Sequence, residues 1–150
     1  SVVEFLLTYA NGQCLSVGVL GASKESIACF SEYAKVTYPN IKKLICTDGY
    51  VDNPDGVLEA YSKEHLDIVL VAFGVPKQEV LIKDNLHHFD HGVFVGVGGS
   101  IDVIGGFKRR APGFFLKTNT EWLYRIVREP KRIIRFFKSN LNFMFRYLKK

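Results

Sequence analysis

The sequence is poor in cysteine, and the three cysteines that it has form no recognisable pattern. Cys14, Cys29 and Cys46 are odd in number, lie in apolar surroundings and show neither CxxC nor CxxH spacing. This excludes a disulfide framework and a zinc ribbon as the basis of the fold. We therefore expect a reducing, cytoplasmic setting for the chain.

Long apolar runs and biased tracts are also absent. No run of about 18 apolar residues lacks a charge, and the opening SVVEFLLTYANGQ carries Glu4 without a basic segment. The sequence thus predicts neither a membrane span nor a signal peptide. The 5 prolines and 13 glycines are dispersed among 47% hydrophobic residues. This composition excludes disordered and collagen-like classes and predicts a folded globular chain of ordinary domain size.

Acidic residues are scarce in the last part of the chain. Residues 108–150 contain 13 Lys and Arg against 2 Asp and Glu, whereas residues 1–107 contain 7 against 13. The formal net charge of +5 therefore conceals a strongly basic C-terminal block. Such a block usually meets nucleic acid, anionic lipid or substrate phosphates. We place a domain boundary at this change, between residues 1–107 and a basic helical appendage at 108–150.

Helical and strand-like segments alternate through residues 1–107. This alternation predicts an α/β domain with a Rossmann-like, largely parallel sheet and helices on both faces, built from about five or six units. Asp67 to Phe73, DIVLVAF, is the clearest buried strand, because a continuous apolar run needs cover on both faces. The other predicted strands cover residues 14–20, 43–46 and 92–97. Helices are predicted over residues 2–11, 23–37, 54–65 and 76–86, with a short helix after Ser100.

Glycine-containing turns follow three of the predicted strands, at Gly21, at Gly74 and at Gly98-Gly99-Ser100. In a parallel sheet these turns meet at the carboxyl edge, where backbone N–H groups and helix N-termini can bind a diphosphate. Glycine turns also serve simply to reverse the chain, so spacing alone leaves both interpretations open. No complete GxGxxG or GxxxxGK[ST] is present, which argues against a standard dinucleotide fold and a P-loop.

The segment after Gly74 contains the most informative polar residues. Gln78 and Glu79 fall in the first helical turn after Pro76, and the Gln78 amide can both donate and accept hydrogen bonds. The Gln78 amide is therefore a candidate to hydrogen-bond a uracil base or a sugar hydroxyl. The alternative is that Gln78 is merely exposed and that Glu79 complements the helix dipole.

Residues 131–150 predict an amphipathic helix that begins near Pro130. Its large apolar side chains occupy an arc of about 200°, and its Lys and Arg residues occupy the opposite arc. This segregation favours an anionic membrane surface over a nucleic acid, whose binding tails interleave basic and aromatic residues. An apolar arc that packs on a partner chain or on a second copy remains an alternative.

A histidine-rich stretch contains His87, His88, Asp90 and His91. We expect these imidazoles to point apart into solvent and not to hold a metal ion, because the stretch is a loop after a helix.

Three ordered motifs resemble the bacterial glycosyltransferases of the WecG/TagA/CpsF type, family 26. They are VLVAFGVPKQEVLI at 69–82, VFVGVGGSIDVIGGFKRRAP at 93–112 and TEWLYRIVREPKRIIRF at 120–136. The resemblance extends from about Phe5 to Phe136. It implies an inverting enzyme that transfers a sugar, commonly N-acetylmannosamine, from a UDP donor to a polyprenyl-diphosphate-linked acceptor. The implied location is peripheral, at the inner face of the plasma membrane, in the synthesis of teichoic acid, common antigen or capsular polymers.

The resemblance also implies which residues form the site. Arg125, Arg132 and Arg135 would stabilise the departing diphosphate with guanidinium groups, with no metal or other cofactor required. Donor-binding residues would lie in and beside the three glycine turns: Gly21, Gly74, Pro76, Gln78, Glu79, Gly98, Gly99 and Ser100.

One part of the family pattern has no match in this sequence. Family members carry a further N-terminal subdomain, with an acceptor pocket and an aspartate proposed as the general base. Inversion needs a base to take the acceptor proton. The carboxylates near the predicted edge are Asp48, Glu79 and Asp102, and we assign none of them to that role. We therefore expect this chain to supply the donor-binding part of the enzyme and not to act alone.

Overall fold

The computed structural model describes residues 1–106, so the predicted appendage over residues 108–150 lies outside the described residues. Four strands form one sheet, and all neighbouring pairs are parallel. Their order across the sheet is β2-β1-β3-β4, with β1 at Ser16–Gly21, β2 at Lys43–Thr47, β3 at Ile68–Ala72 and β4 at Val93–Gly96. The α-helices are α1 (Val2–Gly12), α2 (Lys24–Thr37), α3 (Pro54–Ser62), α4 (Lys77–Asn85) and α5 (Ser100–Ile104). The predicted α/β class with a parallel sheet is confirmed.

Helices cover both faces of the sheet, as predicted, and each face has its own hydrophobic cluster. Successive side chains of a strand point to opposite faces. In β3, Leu70 accordingly joins the first cluster with Leu7 of α1 and Phe30 of α2, whereas Val69 joins the second with Leu58 of α3. We call these the first-face cluster and the second-face cluster. α5 belongs to the first face and α4 to the second.

Side-chain caps begin three of the helices. In α1, Ser1 and Glu4 form a reciprocal capping box. Ser23 Oγ accepts from the Ser26 N–H at 3.1 Å at the start of α2, as its sequence position predicts. Asn53 Oδ1 accepts from the Gly56 N–H at 3.0 Å at the start of α3. Each cap satisfies a backbone donor that the first turn of a helix leaves without a partner.

Two predicted boundaries are wrong. Cys14 was predicted to begin a strand, but its φ of 53° places it in the left-handed region, and β1 begins at Ser16. The helix predicted to reach His65 ends at Ser62, and His65 itself has a φ of 51°. Each predicted segment thus includes a left-handed residue other than glycine, a conformation that the sequence does not signal. All four predicted strands are nevertheless present among the described residues.

The histidine-rich stretch differs from its prediction in one respect. The His87 and His88 rings lie with their centroids 3.9 Å apart, so they contact each other and do not point apart. His91 stacks instead with His65, at 6.2 Å between centroids. Within residues 1–106, no group of three or more His, Cys, Asp or Glu residues is placed to hold a metal ion. None of the helices in this part of the chain combines the length and apolar character needed to cross a bilayer.

Candidate functional site at the carboxyl edge of the sheet

The three glycine turns leave the sheet at one edge. β1, β3 and β4 are adjacent and parallel, so the turns at Gly21, Gly74 and Gly98 all follow the carboxyl ends of neighbouring strands. The chain passes from β1 to β2 on one side and then to β3 on the other. The crevice between β1 and β3 is therefore the switch point where open parallel sheets most often bind ligands.

The turn after β1 is fixed by close backbone contact with β3. Gly21 pairs with Ala72 and has a φ of 125°. A Cβ at Gly21 would lie 2.5 Å from the Ala72 carbonyl oxygen, so no larger residue fits without movement of the strands. The Ala22 N–H donates to that same oxygen at 3.1 Å. The Gly49 N–H, in the loop after β2, donates to the Ala22 carbonyl oxygen at 2.9 Å.

The turn after β3 is closed by Gln78. The Gln78 N–H donates to the Gly74 carbonyl oxygen at 3.0 Å, and the Gly74 N–H donates to Gln78 Oε1, also at 3.0 Å. Pro76 lies between them at the N-cap of α4 and is exposed. Residues 74–78 therefore form a turn held at both ends, at the edge where the prediction put them.

The turn after β4 is attached to the same glutamine. The Gly98 N–H donates to Gln78 Oε1 at 3.0 Å, and the Val97 N–H donates to the Val71 carbonyl oxygen at 2.8 Å. Gly99 follows as the N-cap of α5, and Ser100 is the first residue of that helix. All eight predicted donor-site residues thus lie in turns or helix starts at one edge of the sheet.

The position of Gln78 contradicts one of the two sequence interpretations, in which its side chain is exposed. Gln78 is 4% exposed, so its side chain does not lie on the surface. Its amide oxygen accepts from Gly74 and Gly98, and Nε2 donates to Glu79 Oε1 at 2.9 Å. The Gln78 amide oxygen is thus hydrogen-bonded within the protein. The Gly74 and Gly98 N–H groups, which were expected to face a diphosphate, donate to this oxygen. Gly74 and Gly98 both have a positive φ, so glycine at these positions serves the chain geometry of the turns.

Charged side chains at this edge include one that sequence reasoning missed. Lys77 Nζ lies 4.4 Å from the centroid of the Phe73 ring, which is a cation–π contact. Phe73 and Lys77 are four residues apart, on either side of the Gly74 turn, and this spacing is the sequence signal that could have identified the contact. Glu79 is exposed in the first turn of α4, where its charge also complements the helix dipole.

Two further carboxylates were considered for base catalysis. Asp48 Oδ1 accepts from the Tyr50 N–H at 2.9 Å and so shapes the loop after β2. Asp102 lies in the first turn of α5. Asp48 therefore has a local structural role. Arg125, Arg132 and Arg135, and the amphipathic helix predicted over 131–150, lie outside the described residues and stay predictions.

Comparison with known proteins gives one family and several relatives. The sequence model described as "Glycosyl transferase WecG/TagA/CpsF family" matches residues 1–150. The chain is 37% identical over 131 residues to a protein of Bacillus subtilis (strain 168) and 39% identical over 127 residues to one of Bacillus spizizenii. It is 38% identical over 134 residues to a protein of Staphylococcus aureus (strain MW2).

All three relatives bear the name N-acetylglucosaminyldiphosphoundecaprenol N-acetyl-beta-D-mannosaminyltransferase. The matches cover 87%, 85% and 89% of this chain but 51%, 49% and 52% of the respective relatives. The chain therefore spans about half the length of the relatives that it matches. The names describe transferases with a lipid-linked sugar substrate and give no support to the nucleic-acid alternative.

Proposed function

Because the chain belongs to the WecG/TagA/CpsF family of glycosyltransferases, we propose that it forms the donor-binding part of a hexosyltransferase that uses a UDP-sugar. The observation that carries this proposal is that three glycine turns lie at one edge of the sheet, two of them beside the switch point between β1 and β3. A crevice of this kind allows the diphosphate of a nucleotide to approach the protein backbone closely. The transferred sugar is N-acetylmannosamine in this proposal, by likeness to the named relatives.

The acceptor in this proposal is a sugar linked to polyprenyl diphosphate. The three relatives are named for an acceptor of that chemistry, N-acetylglucosaminyldiphosphoundecaprenol. The reaction would invert the sugar configuration and would need a general base, for which the described residues provide no assigned candidate. Such a transferase contributes to cell-surface polymers of the teichoic acid type.

Nucleotide binding by the whole chain tests the donor proposal. UDP should raise the unfolding temperature, because a ligand at 100 times its dissociation constant adds about 2.7 kcal/mol to the stability of the folded state. UMP and uridine should give progressively smaller shifts if the diphosphate contributes to binding. NAD and ATP serve as controls because each carries linked phosphates on adenosine in place of uridine. A flat response to millimolar UDP, with stabilisation by NAD instead, would contradict the proposal.

The arginine proposal concerns the leaving group. Arg125, Arg132 and Arg135 would place guanidinium groups against the developing charge on the UDP β-phosphate, which provides this stabilisation without a metal ion. Replacement of any one by Lys, in an active enzyme containing this chain, should lower kcat much more than it raises KM. Unchanged turnover in all three Lys variants would reduce these residues to surface charges.

The appendage over residues 131–150 would bring the site to the lipid acceptor as a peripheral membrane element. Apolar and basic arcs on one helix can contact lipid chains and anionic headgroups together, at about 1 kcal/mol for each basic residue near the surface. The chain should sediment with vesicles containing phosphatidylglycerol and less with neutral vesicles, and high salt should release it. Equal binding to both vesicle types would contradict this role. Deletion of 131–150 that instead dissociates an oligomer would indicate a subunit interface.

A further inference from the structure

Gln78 is a buried amide whose two ends serve different partners. Its oxygen accepts the N–H groups of Gly74 and Gly98, which belong to the turns after two neighbouring strands, both at 3.0 Å. Its nitrogen donates to Glu79 Oε1 at 2.9 Å. The neighbouring strand leaves space for it, because a Cβ at Gly96 would lie 2.5 Å from Gln78 Nε2. The side chain is therefore enclosed by the elements that it connects.

We infer that Gln78 is a positioning residue of the proposed donor site: its oxygen sets the separation of the Gly74 and Gly98 turns, and its nitrogen orients the Glu79 carboxylate. This inference rests on the proposed function for the identity of the ligand. Glu79 is the residue that would touch the ligand, because it is exposed at the carboxyl edge. A carboxylate accepts hydrogen bonds from hydroxyl and amide groups and repels phosphate. Glu79 would thus recognise the neutral sugar and not the diphosphate.

Only an amide of this length performs both tasks. A carboxylate at position 78 could still accept the two glycine N–H groups, but it could not donate to Glu79 and would place like charges side by side. A methionine of similar length would neither accept nor donate strongly. Gln78→Glu therefore separates the two tasks, and Gln78→Met removes both.

The first measurement does not depend on any ligand. Glycine-specific ¹⁵N labelling of the full chain allows the exchange of the Gly74 and Gly98 amide protons to be followed by NMR. We expect Gln78→Met to accelerate both exchanges by about tenfold or more, as the loss of their acceptor requires. Gln78→Glu and Glu79→Gln should leave both rates within about twofold of the original protein, because an acceptor oxygen remains.

Asn85 provides a matched control on the same helix. It is also a buried amide, 3% exposed, and its Nδ2 donates to Asp55 Oδ1 at 2.6 Å and to the Leu81 carbonyl oxygen at 2.9 Å. These hydrogen bonds join α4 to α3 and to its own backbone, and they do not involve the glycine turns. Asn85→Met should lower stability through the loss of buried hydrogen bonds. It should not accelerate exchange of the Gly74 and Gly98 amides more than that of other glycine amides.

The second measurement compares affinities for UDP-N-acetylmannosamine and UDP by calorimetry. Gln78→Glu and Glu79→Gln should each reduce the preference for the sugar nucleotide by about tenfold while changing UDP affinity much less. Asn85→Met should leave the preference unchanged. A purely structural role for Gln78 would lower both affinities together.

The outcomes separate this inference from the proposed function. Unchanged Gly74 and Gly98 exchange in Gln78→Met, or an unchanged sugar preference in Gln78→Glu with UDP still bound, would overturn the positioning role. If the original protein binds neither nucleotide, the proposed function fails and the sugar-recognition part of the inference fails with it. The exchange rates of Gly74 and Gly98 would then still show whether the Gln78 oxygen connects the two turns. If Gln78→Met does not fold, rapid glycine exchange in a folded Gln78→Glu would refute the connection.

Discussion

Replacement of Gly21 by alanine tests whether the turn at the crevice depends on the absence of a side chain. The new Cβ would lie 2.5 Å from the Ala72 carbonyl oxygen and 2.6 Å from its carbonyl carbon. Both atoms are backbone of β3, so relief requires the two central strands to move apart. The backbone conformation, with φ at 125°, costs a further penalty in any residue but glycine. We expect a loss of about 2–6 kcal/mol in unfolding free energy, combining about 1–3 for conformation with about 1–3 for overpacking.

Two other glycines separate the contributions. Gly74 has a φ of 78° but nothing within 4 Å of an added Cβ, so Gly74→Ala should cost only the backbone term of about 1–2 kcal/mol. Gly12, the last residue of α1, also has open space and its φ is not in the left-handed region. Gly12→Ala should be neutral or stabilising by up to about 1 kcal/mol, because alanine is the better helix former.

Urea unfolding of the full chain, followed by circular dichroism, gives the required comparison. The expected order of stability is Gly12→Ala, then Gly74→Ala, then Gly21→Ala. UDP should stabilise Gly12→Ala as it does the original protein, and it should stabilise Gly21→Ala much less. A Gly21→Ala protein as stable as Gly74→Ala would refute the reasoning, because the contact with Ala72 would then carry no cost.

Three further expectations concern other parts of the fold. Burial raises the pKa of Tyr61 from its ordinary 10.0 to about 12, so unfolding free energy should fall between about pH 10 and pH 12, and Tyr61→Phe should reduce that fall in pH-dependent urea titrations. Tyr61→Phe should itself cost about 1–3 kcal/mol at pH 7, because the hydroxyl donates to the buried Val19 carbonyl oxygen at 3.0 Å and hydrogen-bonds the half-buried Thr47 Oγ1 at 2.7 Å. Burial also raises the pKa of Cys46 to about 11, and a maleimide at pH 8 should therefore label the exposed Cys14 first by mass spectrometry; equal labelling rates would contradict this. Ser23→Ala should cost about 1 kcal/mol in thermal unfolding through loss of its cap, with Ser23→Gly losing less.

Periodicity and capping residues predicted most of the fold. The apolar run of β3 identified the central strand, because only a strand with helices on both sides can bury every side chain of such a run. Ser23 predicted the start of α2 because a serine hydroxyl satisfies a backbone donor wherever a helix begins. Both signals are local in sequence, so they need no knowledge of the neighbouring elements.

The arrangement of the candidate site was only partly predictable. The meeting of the glycine turns follows from parallel topology, but the role of Gln78 depends on Gly98, 20 residues away in sequence. Nothing near Gln78 in the chain indicates that both glycine N–H groups share its oxygen. His65 is likewise left-handed although it is not a glycine, so its conformation could not be predicted from its residue type. Such features arise from tertiary packing, which overrides local preference.

The two faces of the sheet have a consequence for how this crevice can adapt. The turn after β1 leads into α2, which is anchored through Phe30 in the first-face cluster, whereas the turn after β3 leads into α4, anchored through Leu81 in the second-face cluster. The helices that follow the two turns are therefore anchored in different hydrophobic clusters. A change of side-chain volume beside α2 or α4 acts first on the helix that it contacts and through that helix on the turn before it, since packed cores transmit strain to the elements attached to them. The width available to a ligand can thus evolve through apolar substitutions remote from it, while the glycines at its rim stay unaltered.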